Sequence, residues 1–308
     1  MNAALIENFL LNTVRSGTPI MYALIGDMIG QLAGHISLSV EGAMLLGCCM
    51  GFTVTYYTGN LFLAVLVAAL CGAVVGFLQV HINIRFGANM FALALALNYL
   101  ATALTTYYGS PMVSRSIEGF PRIAIPGLSS IPIIGNALFN HDILTYFSYL
   151  LPVIAFFVLF RTKIGSALRS AGEVHQVAVA YGYNVKALKY GAVILAGTLA
   201  AIGGCQLSCA FTMTWTPEMS GGRGFVASAL VTLCCWKPRS AYFVAYLFGA
   251  AQSLQILFQL LAIPIPTNIV TMAPYILTII VLGFMSLRKN SSMPEELRHI
   301  GRPLELSN

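Results

Sequence analysis

The stretch LFLAVLVAALCGAVVGFLQV, residues 61–80, contains no Asp, Glu, Lys or Arg. An α-helix rises about 1.5 Å per residue, so a run of this length covers the roughly 30 Å hydrocarbon core of a bilayer. Residues 91–108, 143–160 and 191–210 share the property. A membrane β-barrel would alternate polar and apolar residues in segments of about ten, so these continuous runs predict helices.

Composition agrees. Of 308 residues, 58% are hydrophobic and 8% charged, with mean hydropathy +0.81; soluble domains carry about 25% charged residues. The expectation is an all-α polytopic membrane protein, a single transmembrane domain over 1–308. It has about nine spans, near 8–33, 40–58, 61–80, 89–108, 143–160, 190–210, 224–236, 241–262 and 268–287. The seventh is too short to cross alone, so it reads as a half-helix or as a span completed by irregular backbone buried in protein. The apolar stretch after Met1 carries Glu7 and Arg15 and predicts no cleavable signal peptide.

Net charge is +6, which could suggest nucleic acid, but the cations sit in loops and set topology instead. Arg85, Arg161, Lys163, Arg169, Lys186, Lys189, Lys237, Arg239, Arg288, Lys289, Arg298 and Arg302 fall on one side, and Arg15, Arg115, Arg122 and Arg223 on the other. The richer side is expected to be cytoplasmic, with the C-terminus inside and the N-terminus outside. All seven cysteines lie in predicted spans as small apolar residues. Cys205 and Cys209 share a helix face, yet no Cys/His spacing matches a zinc site, and no Walker loop, nucleophile elbow or carboxylate pair occurs. No metal, cofactor or catalysis is expected, and if ATP drives the protein another subunit binds it.

The connection RTKIGSALRSAGEVHQVAVAYGYNVKALK, 161–189, is longer than a tether needs. A short helix over Glu173 to Tyr181 is expected, with Gly172 before it and Gly182 as its stop. Ala178 and Ala180 keep part of it small enough for a partner to approach, and a helix lying on the headgroups is the alternative.

Within this loop, FRTKIGSALRSAGE followed by AVAYGYNV resembles the cytoplasmic coupling loop of permease subunits in bacterial ABC importers of the nucleoside and simple-sugar branch. GHISLSVEGAMLLG at 34–47, TPEMSGGRGFVASALV at 216–231 with CWKPRSA at 235–241, and MAPYILTIIVL at 272–282 resemble the same family in the same order. IPGLSSIPIIG at 125–135 and PYILT are most similar to permeases served by basic-membrane-protein-type nucleoside-binding lipoproteins. The chain departs from the pattern at Ser37 and Ser39, where relatives usually have Asn and Gly, at Val174 in place of Pro, and at Gln31 in place of an acid.

The resemblance implies a non-catalytic permease in the bacterial cytoplasmic membrane. It works with a cytoplasmic ATPase subunit docking at Gly172, Glu173, Ala178, Tyr181 and Gly182, a second and related permease chain forming a heterodimer rather than a homodimer, and an extracytoplasmic solute-binding lipoprotein. The solute it favours is a nucleoside or nucleobase, with a simple sugar or a vitamin such as riboflavin, or an ion-coupled secondary transporter, as alternatives.

Physical reading supplies the site. Gly34 and Gly42 bracket a turn in which Ser37 and Ser39 can satisfy freed backbone groups, so a broken helix is expected there. Glu41 begins the next helix, either as a partner of its dipole or facing the pathway. Asp27 within a span calls for a bundle interior, a pathway or an intersubunit role. Asn98 bridges helices or contacts solute, and Phe225 and Tyr275 complete the expected pathway lining. Trp215 is either an interfacial belt residue or, with Glu218 and Arg223, part of an outer gate or binding-protein docking surface.

Overall fold

The computed structural model describes residues 3–129, 131 and 134–260, together with 272, 275, 276, 279, 280 and 283. Among them are eleven α-helices: α1 Ala3–Leu32, α2 Val40–Thr58, α3 Leu61–Phe86, α4 Met90–Gly109, α5 Ile134–Phe139, α6 Ile143–Arg161, α7 Lys163–Glu173, α8 His175–Ala180, α9 Val185–Gln206, α10 Arg223–Leu233 and α11 Pro238–Leu260. The only strands among these residues, β1 Ile123–Ala124 and β2 Asn140–His141, form one short antiparallel pair.

Helix ends follow local chemistry. The Asn60 side chain accepts from the backbone N–H groups of Phe62 and Leu63 and opens α3, while Gly59 closes α2 in the left-handed region. Asn89, Asp142, Thr162 and Asn184 open α4, α6, α7 and α9 by the same device.

The outer surface is apolar, unlike that of a soluble protein. On α3, Phe62, Leu66, Leu70 and Val74 are exposed, whereas Asp27, Gln31 and Glu41 are buried. Large exposed apolar faces around a largely apolar interior that also holds buried acids fit lipid as the solvent. Five segments are long and apolar enough to cross: α3, α4 with the 3₁₀ turn Ser110–Met112, α6, α9 with the π-helical turn Leu207–Thr212, and most of α11. α1 and α2, of 30 and 19 residues, pack among them. The ninth expected span, 268–287, lies largely outside the described residues.

α9 is the axle. Lipid gives helices no hydrophobic drive to associate, so close backbone contact must hold them. A Cβ on Gly47 of α2 would stand 2.1 Å from the Ala201 carbonyl oxygen, one on Gly72 of α3 2.2 Å from that of Gly197, and one on Gly204 2.0 Å from that of Met44. Small residues therefore seat α2 and α3 on α9. Where α9 widens into its π turn, Arg15 of α1 donates to the Ala210 carbonyl and lies over the Phe211 ring, capping backbone that the widening frees.

Two expectations change. The loop helix expected over 173–181 is two helices, α7 and α8, broken at Val174, whose extended backbone (φ −141°) caps α7 by donating to the Ser170 carbonyl. Gly172 is not a boundary but lies inside α7, buried, where a Cβ would meet the Leu32 carbonyl oxygen at 2.3 Å and the Gly34 nitrogen at 2.8 Å. Gly182, at φ +78°, does stop α8.

Candidate functional site

The expected break after α1 is present: Gly34 turns the chain at φ +79°, and residues 33–39 are non-helical before α2 starts at Val40. The turn is inside the protein, with His35, Ser37 and Ser39 each about 2% exposed. Both serine hydroxyls donate to the Gln79 side-chain oxygen, the two hydroxyls are 3.1 Å apart, and the Gln79 amide nitrogen lies 3.2 Å from His35 Nε2. α3 thus completes the turn through Gln79, which sequence reasoning missed. Its signal was a fully polar amide in an otherwise apolar run.

Glu41 does more than face a helix dipole. Its carboxylate accepts from the Ser220 hydroxyl at 2.6 Å, the Gly222 N–H at 3.0 Å and the Gly224 N–H at 2.6 Å. The first turn of α2 therefore caps the N-terminus of α10, where N–H groups have no helical partner. Beside it, a Cβ on Gly42 would stand 3.0 Å from the Asn98 Cα, so Asn98 lies level with Glu41, and its own Oδ1 accepts no hydrogen bond.

These contacts place α10. Trp215 packs on Gly109, the last residue of α4, where a Cβ would come within 2.3 Å of its indole nitrogen. Nine residues later Gly224 is bonded to Glu41 beside Asn98, near the middle of α4. Non-helical chain thus passes from the end of α4 to its middle, a distance of about 16 Å, and α10 starts within the bundle. At 224–236, where a short or interrupted span is expected, the structure has α10, an apolar helix of 11 residues.

Beyond it, Gln31 donates to Asp27 Oδ2 at 2.7 Å and to the Ser228 carbonyl at 3.2 Å, and accepts from the Trp236 indole at 2.9 Å. Asp27 is fully buried within this chain, so it is not on an intersubunit surface. Trp215 is 1% exposed and is not a belt residue. Glu218 is exposed in the left-handed region, at φ +56°. Arg223 turns to the Gln252 side chain and to the Met219 and Ser220 carbonyls, so these three residues do not form one face. Phe225 is half-buried on α10, and the Tyr275 hydroxyl donates to the Gly221 carbonyl. Ala178 points inward, packed with Ala171 and Val185, while Glu173, Val177, Ala180 and Tyr181 are exposed.

An apolar groove of about 520 Å³ between α1, α6, α7 and α9 has no cluster of polar groups to orient a solute. Among the described residues no group of three His, Cys, Asp or Glu is placed to hold a metal.

A membrane bundle with interrupted helices meeting around sparse buried polar groups has the form of a solute permease. Residues 9–282 match the family described as branched-chain amino acid transport system / permease component, and the chain belongs to it. It is a non-catalytic permease component of an ATP-binding-cassette importer and a multi-pass membrane protein. It is 34% identical to a putative glucose ABC transporter permease protein of Haloferax volcanii over 92% of this chain and 93% of that one. It is 30% identical both to a guanosine ABC transporter permease protein of Bacillus subtilis, over 89% and 90%, and to a nucleoside ABC transporter permease protein of Lactococcus lactis, over 90% and 92%. No solved structure matches the chain.

Proposed function

We propose that this permease passes nucleosides through the interior where α10 begins, against the α1–α2 turn. The observation that carries the reading is the set of hydrogen-bonding groups gathered there, Ser37, Ser39, Glu41 and Asn98, in otherwise apolar walls. A nucleoside joins a flat apolar base to a polar ribose, and such lining suits both. Phe225 and Tyr275, on the α10 side, offer aromatic surface to a base. Two relatives named for guanosine and nucleoside transport support the reading. The glucose-named relative favours a sugar as the second reading. Reconstitution with the cognate binding protein and ATPase, followed by uptake of labelled guanosine, adenosine, ribose and glucose, decides between them. Nucleoside uptake is expected, and sugar uptake that about a hundredfold nucleoside excess leaves untouched would replace the assignment.

In this reading the chain has nine spans, with 268–287 as the last. It pairs with a related permease chain, receives solute from an extracytoplasmic lipoprotein and is driven by a cytoplasmic ATPase bound at α8. The cation count places 109–142 outside and 161–189 inside. Glu118 and Gln176 are both exposed. On intact cells an impermeant maleimide is expected to modify Glu118→Cys and to leave Gln176→Cys unmodified, with the native chain as blank; the reverse pattern inverts the topology.

A further inference from the structure

α6 ends in a pair of rings, Phe156 and Phe160, stacked with centroids 5.5 Å apart and planes inclined by 20°. Each ring carries a guanidinium from a different element. Arg169 of α7 lies over Phe160 at 4.6 Å, and Arg239, the second residue of α11, lies over Phe156 at 4.0 Å. Two cations are thereby drawn to one aromatic pair, and no acidic side chain among the described residues pairs with either. The Arg169 Nε is buried with no hydrogen-bond partner.

Depth gives this arrangement its meaning. α6 has 19 residues, about the thickness of the hydrocarbon core, and the two rings lie in its last six residues. The guanidiniums therefore stand where hydrocarbon gives way to headgroups. On the same helices Phe157, level with the two rings, is 56% exposed, and Phe243, about one turn deeper than Arg239, is 72% exposed. The end of the bundle concerned is the cation-rich one.

We propose that Arg169 and Arg239 form a binding site for one anionic phospholipid, with its phosphate held by both guanidiniums and its acyl chains lying over Phe157 and Phe243. Arginine's fixed fork of donors suits a phosphate, and cation–π contact holds the guanidiniums in place while leaving their edges free to donate. A basic pocket between spans at the headgroup level is a setting in which anionic lipids are recognised. The site is separate from the polar interior and does not depend on the identity of the solute.

The test is native mass spectrometry of the purified permease titrated with phosphatidylglycerol, with phosphatidylcholine of the same chains, and with inorganic phosphate. The native chain is expected to retain one phosphatidylglycerol at least about tenfold more tightly than phosphatidylcholine, the preference that two surface cations confer. The double variant Arg169→Gln/Arg239→Gln is expected to lose that preference, whereas Arg169→Lys/Arg239→Lys, which keeps the charge but not the fork, keeps part of it and Arg161→Gln all of it. Elution of every variant as a monodisperse species excludes misfolding as the cause. Equal retention of the two lipids overturns the proposal, as does an unchanged preference in the Gln pair or equally tight binding of inorganic phosphate alone. If the Gln pair keeps its lipid but loses the co-purifying ATPase, the arginines belong to a protein interface and the proposal fails.

Discussion

Replacing Glu41 with alanine is expected to reduce solute uptake at least about tenfold while leaving the amount of protein in the membrane unchanged. The carboxylate collects three donors from the start of α10, namely the Ser220 hydroxyl and the N–H groups of Gly222 and Gly224. Hydrogen bonds to a charged group are worth about 1.5–3 kcal/mol each, and losing the acceptor leaves buried donors orphaned. A net loss of about 3 kcal/mol shifts by roughly a hundredfold the equilibrium that keeps α10 seated. Insertion itself should not suffer, because an acid within a span opposes insertion and its removal helps. Glutamine separates charge from geometry. It keeps one accepting oxygen but turns an amide donor toward either the Gly224 N–H or the Ser220 and Gly222 pair, so Glu41→Gln is expected to fall between the native chain and Glu41→Ala. Uptake in cells and thermal resistance of the detergent-purified chain measure both effects, and native uptake by Glu41→Ala would sink the clasp as a functional element.

The clasp marks the boundary of what the sequence carried. Glu41, the glycine-bounded turn and the short seventh span could each be read locally, because a capping acid, a break and a length deficit leave one-dimensional signatures. That Glu41 bonds to Gly224, 183 positions away, could not. In a soluble helix the polar stripe shows which face meets solvent, but helices set in lipid are apolar on nearly every face, so periodicity does not say which side meets which neighbour. Gln79 and Trp236 went unnoticed for that reason, and Trp215 was legible as an aromatic at a helix end but not as a buried one. The expected spans leave 109–142 without an element, because two-residue strands and the short α5 carry too little pattern to detect.

The 161–189 connection follows the same logic and sets the last expectation. Its composition suggested that small residues clear the way for a partner, but Ala178 is small because it packs inward against Ala171 and Val185. The large apolar side chains that α8 and its C-cap turn outward are Val177, 42% exposed, Val179, 53% exposed, and Tyr181, 78% exposed. Two solvent-facing valines on a six-residue helix that is too short to be stable alone, with the capping tyrosine beside them, make an apolar contact patch. α7 connects this patch to the interior, because Gly172 rests directly on the backbone of Leu32 and Gly34 where the chain turns toward Ser37 and Ser39. If the ATPase docks on α8, Val177→Asp and Tyr181→Ala each remove a central apolar contact worth about 2 kcal/mol, roughly thirtyfold in affinity. Both variants are expected to insert normally, to lose most of the co-purifying ATPase, and to lose uptake together with solute-stimulated ATP hydrolysis. Ala178→Ser, a small inward change, is expected to retain all three activities. Ala178→Arg would fail by unseating α8 from Ala171 and Val185, so its failure alone says nothing of docking. The distinguishing measurement is ATPase co-purification from membranes of the Tyr181→Ala strain, and undiminished recovery of the ATPase with native uptake would remove α8 from the coupling path.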